Sequence, residues 1–200
     1  MATTMELLSA FVVFAFVTSV TPGPNNLMLM ASGANYGFAR SIPHMLGIGI
    51  GFTVMIIIVG MGLIGLFDLY PVSYDILQVG SILYLCWLAW KIAHAAAPSG
   101  TGEAAGKPMT FFQAAAFQWV NPKAWAMALT AISVYAPGHD FAAIVLIAVI
   151  FGAVNIPTVS SWTLLGREMR RFLTSPRRLA LFNWTMAGLL VASLLPVLFH

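Results

Sequence analysis

The sequence predicts an all-α integral membrane protein of six transmembrane helices, arranged as two inverted three-helix repeats. Three observations predict it. Of the 200 residues, 60% are hydrophobic and only 8% are charged, against roughly 25% charged in a soluble domain. Six stretches are long and apolar enough to cross a bilayer. The first stretch of each half is interrupted by a similar Pro–Asn motif, at Pro22 and again at Pro122.

A bilayer core needs about 20 apolar residues per helix, and the spans fall at about 7–35 (interrupted), 42–66, 75–94, 110–135, 141–165 and 179–198. A transmembrane barrel would instead alternate over strands of about ten residues. The first span opens with "MATTMELLSAF", which has no Lys or Arg ahead of its apolar run. It reads as a membrane helix of the mature chain rather than a cleaved leader. The span breaks at "TPGPNN", residues 21–26.

The second span carries "GIGIG", residues 47–51, which together with Gly33 and Gly37 has the small-residue spacing of close helix packing. His44, near its start, is expected to be structural. Cys86 in the third span is the only cysteine. It excludes a dithiol relay or an internal disulfide and is expected to be a small core side chain. The stretch "APSGTGEAAGKP", 97–108, reads as a flexible linker. The chain is thus expected to be one transmembrane domain, 1–200, with a first repeat at 1–96, a linker at 97–109 and a second repeat at 110–200.

The fourth span is broken at "QWVNPKAW", 118–125. The fifth is the most polar of the unbroken spans, through Asn155, Pro157, Thr158, Ser160 and Ser161, and is expected to kink or to wall a solute path. The six tryptophans read mainly as interface anchors. Trp119 and Trp125, flanking the second break, could also face a solute.

Charge sets the orientation. Arg40, Lys91, Lys107, Arg167, Arg170, Arg171, Arg177 and Arg178 fall on one face of the membrane. The opposite face has Glu6, Asp68, Asp75 and Asp140 and no base. The positive-inside rule makes the basic face cytoplasmic and puts both termini outside. Because basic residues report orientation here, the net charge of +3 is no argument for a nucleic-acid partner.

Matching Pro-broken helices in two halves are the best sequence pointer to a transporter's solute site. Proline removes a backbone donor and frees a carbonyl that lipid cannot satisfy. Such backbone survives only where protein, water or ligand completes it. Asn25, Asn26 and Asn121 can donate and accept, and the half-helix starting near Asn25 presents free N–H groups suited to a carboxylate. Lys123, the ninth base, lies inside a span; such a charge costs about 2.5 kcal/mol or more at the helix centre, so it is a functional candidate. No acid lies mid-span to pair with it, which leaves a ligand carboxylate or helix carbonyl ends with water. The expected solute-binding set is Pro22, Gly23, Pro24, Asn25, Asn26, Asn121, Pro122, Lys123 and Asn155, with no metal and no cofactor. The missing membrane acid favours neutral zwitterions over solutes with a cationic side chain.

Taken together, "TPGPNN", "GFARSIPHMLGIGIGF", "YLCWLAWKIA" and "FQWVNPKAW" resemble the lysine exporter (LysE/RhtB) family of bacterial amino-acid efflux proteins over essentially the whole chain. Within it, "LLSAF", "WLAWKIA" and "KPMTF" look most like the cysteine/O-acetylserine exporter branch. The resemblance implies a secondary transporter, not an enzyme, in the bacterial inner membrane. It would export neutral amino acids or derivatives by proton antiport, with association into homo-oligomers left open. The basic amino-acid branch has a membrane carboxylate in its second helix that this sequence lacks. Export of basic amino acids is the alternative within the family. A membrane redox or metal-handling protein is the alternative outside it.

Overall fold

The computed structural model describes residues 4–63, 69–70, 72–95, 107–136, 138 and 140–195. Most of the linker expected at 97–109 therefore lies outside the described residues, as does Asp68. Among the described residues every regular element is helical. The helices are α1 (Thr4–Val20), α2 (Pro24–Tyr36), α3 (Phe38–Ile58), α4 (Val72–Ala93), α5 (Phe111–Phe117), α6 (Pro122–Tyr135), α7 (Phe141–Met169) and α8 (Pro176–Ala192). A π turn, Val59–Leu63, ends α3, and a 3₁₀ turn, Gln118–Val120, ends α5.

The boundaries follow local chemistry. Pro24, Pro122 and Pro176 each stand in the first turn of a helix, where the missing N–H costs nothing and φ is preset. Thr110 and Gln113 cap α5 reciprocally, Asp140 caps α7 and Ser175 caps α8. Gly37 turns the chain from α2 into α3 at φ 82, a left-handed conformation that favours glycine. Its role is this turn, not the helix packing expected of it.

Three runs are long and apolar enough to cross a membrane: Phe38–Leu63, Asp75–Ala93 and Phe141–Met169. A fourth forms if α1 and α2 count as one span bent by 54°. The remaining two expected spans are shorter as helices, because α5 has only 7 residues before its 3₁₀ turn and α8 has 17.

The polarity runs inside out, as a lipid-facing protein requires. Val13, Phe16, Leu83, Phe112 and Leu181 are exposed, while Ser19, Asn26, Asn35, Asn121, Asn155 and Asn183 are buried. Cys86 is exposed too, so the expected small core thiol instead looks outward from α4. That helix is apolar on all sides, and its pattern could not say which face meets lipid.

The long helix α7 packs against α1, α2 and α3. Against α2 the contact is backbone to backbone. A Cβ on Gly33 would strike the Thr163 carbonyl, and one on Gly166 would strike the Met30 carbonyl. The "GIGIG" glycines behave similarly, with Gly47 and Gly51 against α5 and Gly49 against Ile156 of α7. Phe11, Phe52, Met127, Ala128 and Phe151 belong to one apolar cluster, and Met28, Leu88, Phe117 and Met186 to another. Between these clusters the two breaks face each other.

The expected kink at Pro157 does not interrupt α7, which continues from Phe141 to Met169. The hydroxyls of Thr158, Ser160 and Ser161 donate to the Val154, Ile156 and Thr158 carbonyls of their own helix. They are satisfied locally and do not wall the cleft.

Candidate functional site

The first break must satisfy the carbonyls that α1 leaves open at its end. Every one from Thr18 to Pro22 has a partner. The Thr21 hydroxyl donates to Thr18 O at 2.9 Å. The Asn26 amide donates to Ser19 O at 2.7 Å and to Thr21 O at 2.8 Å. The Trp162 indole N–H, from α7, donates to Val20 O at 3.2 Å. Lys123 completes the set. Its Nζ donates to Thr21 O and Thr21 Oγ1, both at 2.8 Å, and to Pro22 O at 3.3 Å.

Lys123 thus reaches across to the other half of the chain. A cation on helix-end carbonyls also suits the negative end of the α1 dipole. Its stem passes so close to Gly23 that a Cβ there would lie 2.6 Å from Lys123 Cδ.

The second break is closed differently. Asn121 caps α6 by accepting from Lys123 N at 3.2 Å. Gln118 Nε2 donates to Ala114 O at 2.9 Å, and the Trp125 indole donates to Trp119 O at 2.9 Å. Trp119 and Trp125 thus stitch the break and do not line the cleft. The first break has no such cap, since Gly23 offers α2 no side chain. The N–H groups of Asn25 and Asn26 in the first turn of α2 have no intrahelical acceptor.

The two breaks are joined by an amide pair. Asn25 Nδ2 donates to Gln118 Oε1 at 2.8 Å, and Gln118 Nε2 donates back to Asn25 Oδ1 at 3.2 Å. Beside it, Asn155 Nδ2 donates to Ser19 Oγ at 3.2 Å. Asn155 Oδ1 is buried with no partner, which is costly for an acceptor cut off from water.

These groups surround one cleft whose atom-free space, including the part open to solvent, is about 320 Å³. Gly23, Asn25, Asn26, Asn121, Lys123 and Asn155 of the expected set line it. Pro22, Pro24 and Pro122 do not; Pro22 offers its carbonyl to Lys123, and the other two start α2 and α6. The wall also contains Thr18, Ser19, Gln118, Phe52 and Met127, which the sequence reading did not single out. Ser19 and Gln118 left a signal, each being a polar residue in a membrane span. Among the described residues, no acidic side chain lines the cleft.

A profile of the LysE type translocator family matches residues 16–194. The chain is 31% identical over 191 residues to the cysteine/O-acetylserine efflux protein of Klebsiella pneumoniae subsp. pneumoniae, covering 94% of this chain and 95% of that one. It is 29% identical over 170 residues to the cysteine/O-acetylserine efflux protein of Escherichia coli K12, covering 84% and 86%. No solved structure matches. The matched profile takes in both breaks and the whole wall of the cleft, and the chain belongs to the LysE type translocator family: it is a membrane transport protein and not an enzyme.

Proposed function

We propose that this protein exports small neutral amino acids or their derivatives, of the cysteine and O-acetylserine type, from the cytoplasm in exchange for protons. The cleft between the two breaks is the solute site. The observation that carries this reading is the pairing of Lys123 with an uncapped helix N-terminus across one cleft. A zwitterion matches it. Its carboxylate meets the α2 N–H groups and Lys123, while its ammonium meets the unpartnered Asn155 Oδ1. A cationic side chain would meet Lys123 with no acid in the lining to offset it, which favours neutral solutes.

Lys123 already uses its three donors on Thr21 and Pro22. A carboxylate can bind it only by displacing one of these contacts. The cleft also holds room for about one water, so solute binding must widen it. Both facts couple occupancy to movement of α1 against α6, which alternating access requires. On another side, Phe52 closes the cleft and packs edge-on against Phe151 at 5.0 Å. Proton exchange belongs to this reading through Lys123, the one titratable side chain among the described residues of the lining.

The same reading takes the protein as six spans in two inverted halves, residues 1–96 and 110–200, with both termini outside the inner membrane. The decisive experiment is counterflow of radiolabelled L-cysteine and L-serine in proteoliposomes with an imposed pH gradient. Exchange that responds to the gradient is expected. Absence of exchange of either amino acid in both directions would sink the proposal.

A further inference from the structure

A second pocket opens where α2, α3, α4 and the stretch leading into α5 meet. His44, Ser32, Asn35, Tyr36, Lys91 and Lys107 contribute its polar wall. Its atom-free space, including the part open to solvent, is about 510 Å³, against about 320 Å³ in the break cleft. Of the two, this is the larger in the conformation observed.

His44 is the unexplained residue in it. The side chain is 2% exposed, yet neither Nδ1 nor Nε2 has a hydrogen-bond partner. A neutral imidazole presents one donor and one acceptor, and buried polar atoms without partners are rare. Its polar neighbours are already engaged. Ser32 and Ser41 share a hydrogen bond of 2.7 Å. Asn35 donates to Asn183 Oδ1 at 2.8 Å and accepts from Asn183 Nδ2 at 3.3 Å. Among the described residues the lining holds two lysines and no acid, a field that attracts an anion.

The pocket and the break cleft share one wall element, α2. Helix α2 runs from Asn25 and Asn26 in the cleft to Met28, Ala31 and Tyr36 in this pocket. Phe117 packs in one apolar cluster with Met28 and Leu88, which line the pocket. The next residue, Gln118, lines the cleft and holds Asn25.

We propose that this pocket is a second solute site, an antechamber on the base-rich face that holds a small zwitterion before it reaches the breaks. Lys91 and Lys107 take the carboxylate, and His44 meets the ammonium. Its role as an antechamber rests on the exporter reading; its binding of a zwitterion does not.

The test uses the full chain in phosphatidylcholine nanodiscs with ¹⁵N-labelled histidine rings, the His44 signal being assigned by its loss in His44→Gln. Titrating L-cysteine should move the His44 resonances saturably. Cysteamine, which lacks the carboxylate, should need about tenfold more, as should the Lys91→Gln/Lys107→Gln variant titrated with L-cysteine. Lys123→Gln should leave the response in place. If L-cysteine exchanges in proteoliposomes while His44 stays silent, the antechamber is overturned and the exporter reading stands. If His44 responds and no exchange occurs, the site stands and the exporter reading falls. A His44 response to phosphatidylglycerol nanodiscs with none to L-cysteine would assign the pocket to a lipid headgroup and overturn the proposal.

Discussion

Lys123 Nζ lies 2.8 Å from both the carbonyl and the hydroxyl oxygen of Thr21, a residue 102 positions earlier in the chain. One side chain thus closes the end of α1 while belonging to the first turn of α6. Replacing it with Met should keep most of the stem packing and remove three donors. Counterflow of L-cysteine should fall at least about tenfold, equivalent to ~1.4 kcal/mol, with the protein still inserted. Lys123→Arg should not restore it, because a planar guanidinium cannot aim at three oxygens grouped around one point. Flux assays alongside size-exclusion profiles of each variant check both outcomes.

The Asn25–Gln118 pair makes two reciprocal bonds, so removing either partner strands the other. Asn25→Ala and Gln118→Ala should each cost about 1–3 kcal/mol. The double variant should cost less than their sum, with a coupling of about 0.5–3 kcal/mol. Thermal unfolding in detergent, run as a double-mutant cycle, measures this directly.

Gly33 and Gly166 let α2 and α7 meet through backbone. Gly166→Leu should overpack this contact by at least about 1–3 kcal/mol. Loss of monodisperse folded protein is expected in size-exclusion chromatography, whereas Gly188→Ala, at a position with open space around it, should elute as the parent does.

Cys86 faces outward and makes no contribution to the cleft. Cys86→Ser should leave counterflow within about twofold of the parent, since surface substitutions away from special features lie within about 0.5 kcal/mol. The parent, in turn, should label with a membrane-permeant maleimide, and the variant should not.

What was readable in advance divides along physical lines. The two breaks and Lys123 could be read because proline, asparagine and a lone base are local anomalies in an apolar run, visible without knowing any partner. Gln118 and Ser19 could not be ranked the same way. Their meaning depends on Asn25, 93 residues away, and on Asn155, 136 residues away. Cys86 was misplaced because a helix apolar all round gives no sign of which side faces its neighbours. Gly37 was misread because four-residue spacing of small residues is shared by a packing face and by a turn that happens to follow one. His44 looked ordinary in the sequence, since only packing shows that nothing reaches its nitrogens.

The partners of the α1 terminus also bear on how this chain is made. Val20 O is met by Trp162 and Pro22 O by Lys123, and both donors come from the second half. During synthesis α1 to α4 are made before either donor exists. For that interval two carbonyls of the break lack the side-chain donors they have in the finished fold. The joint of the first half is therefore completed by side chains that follow it in synthesis.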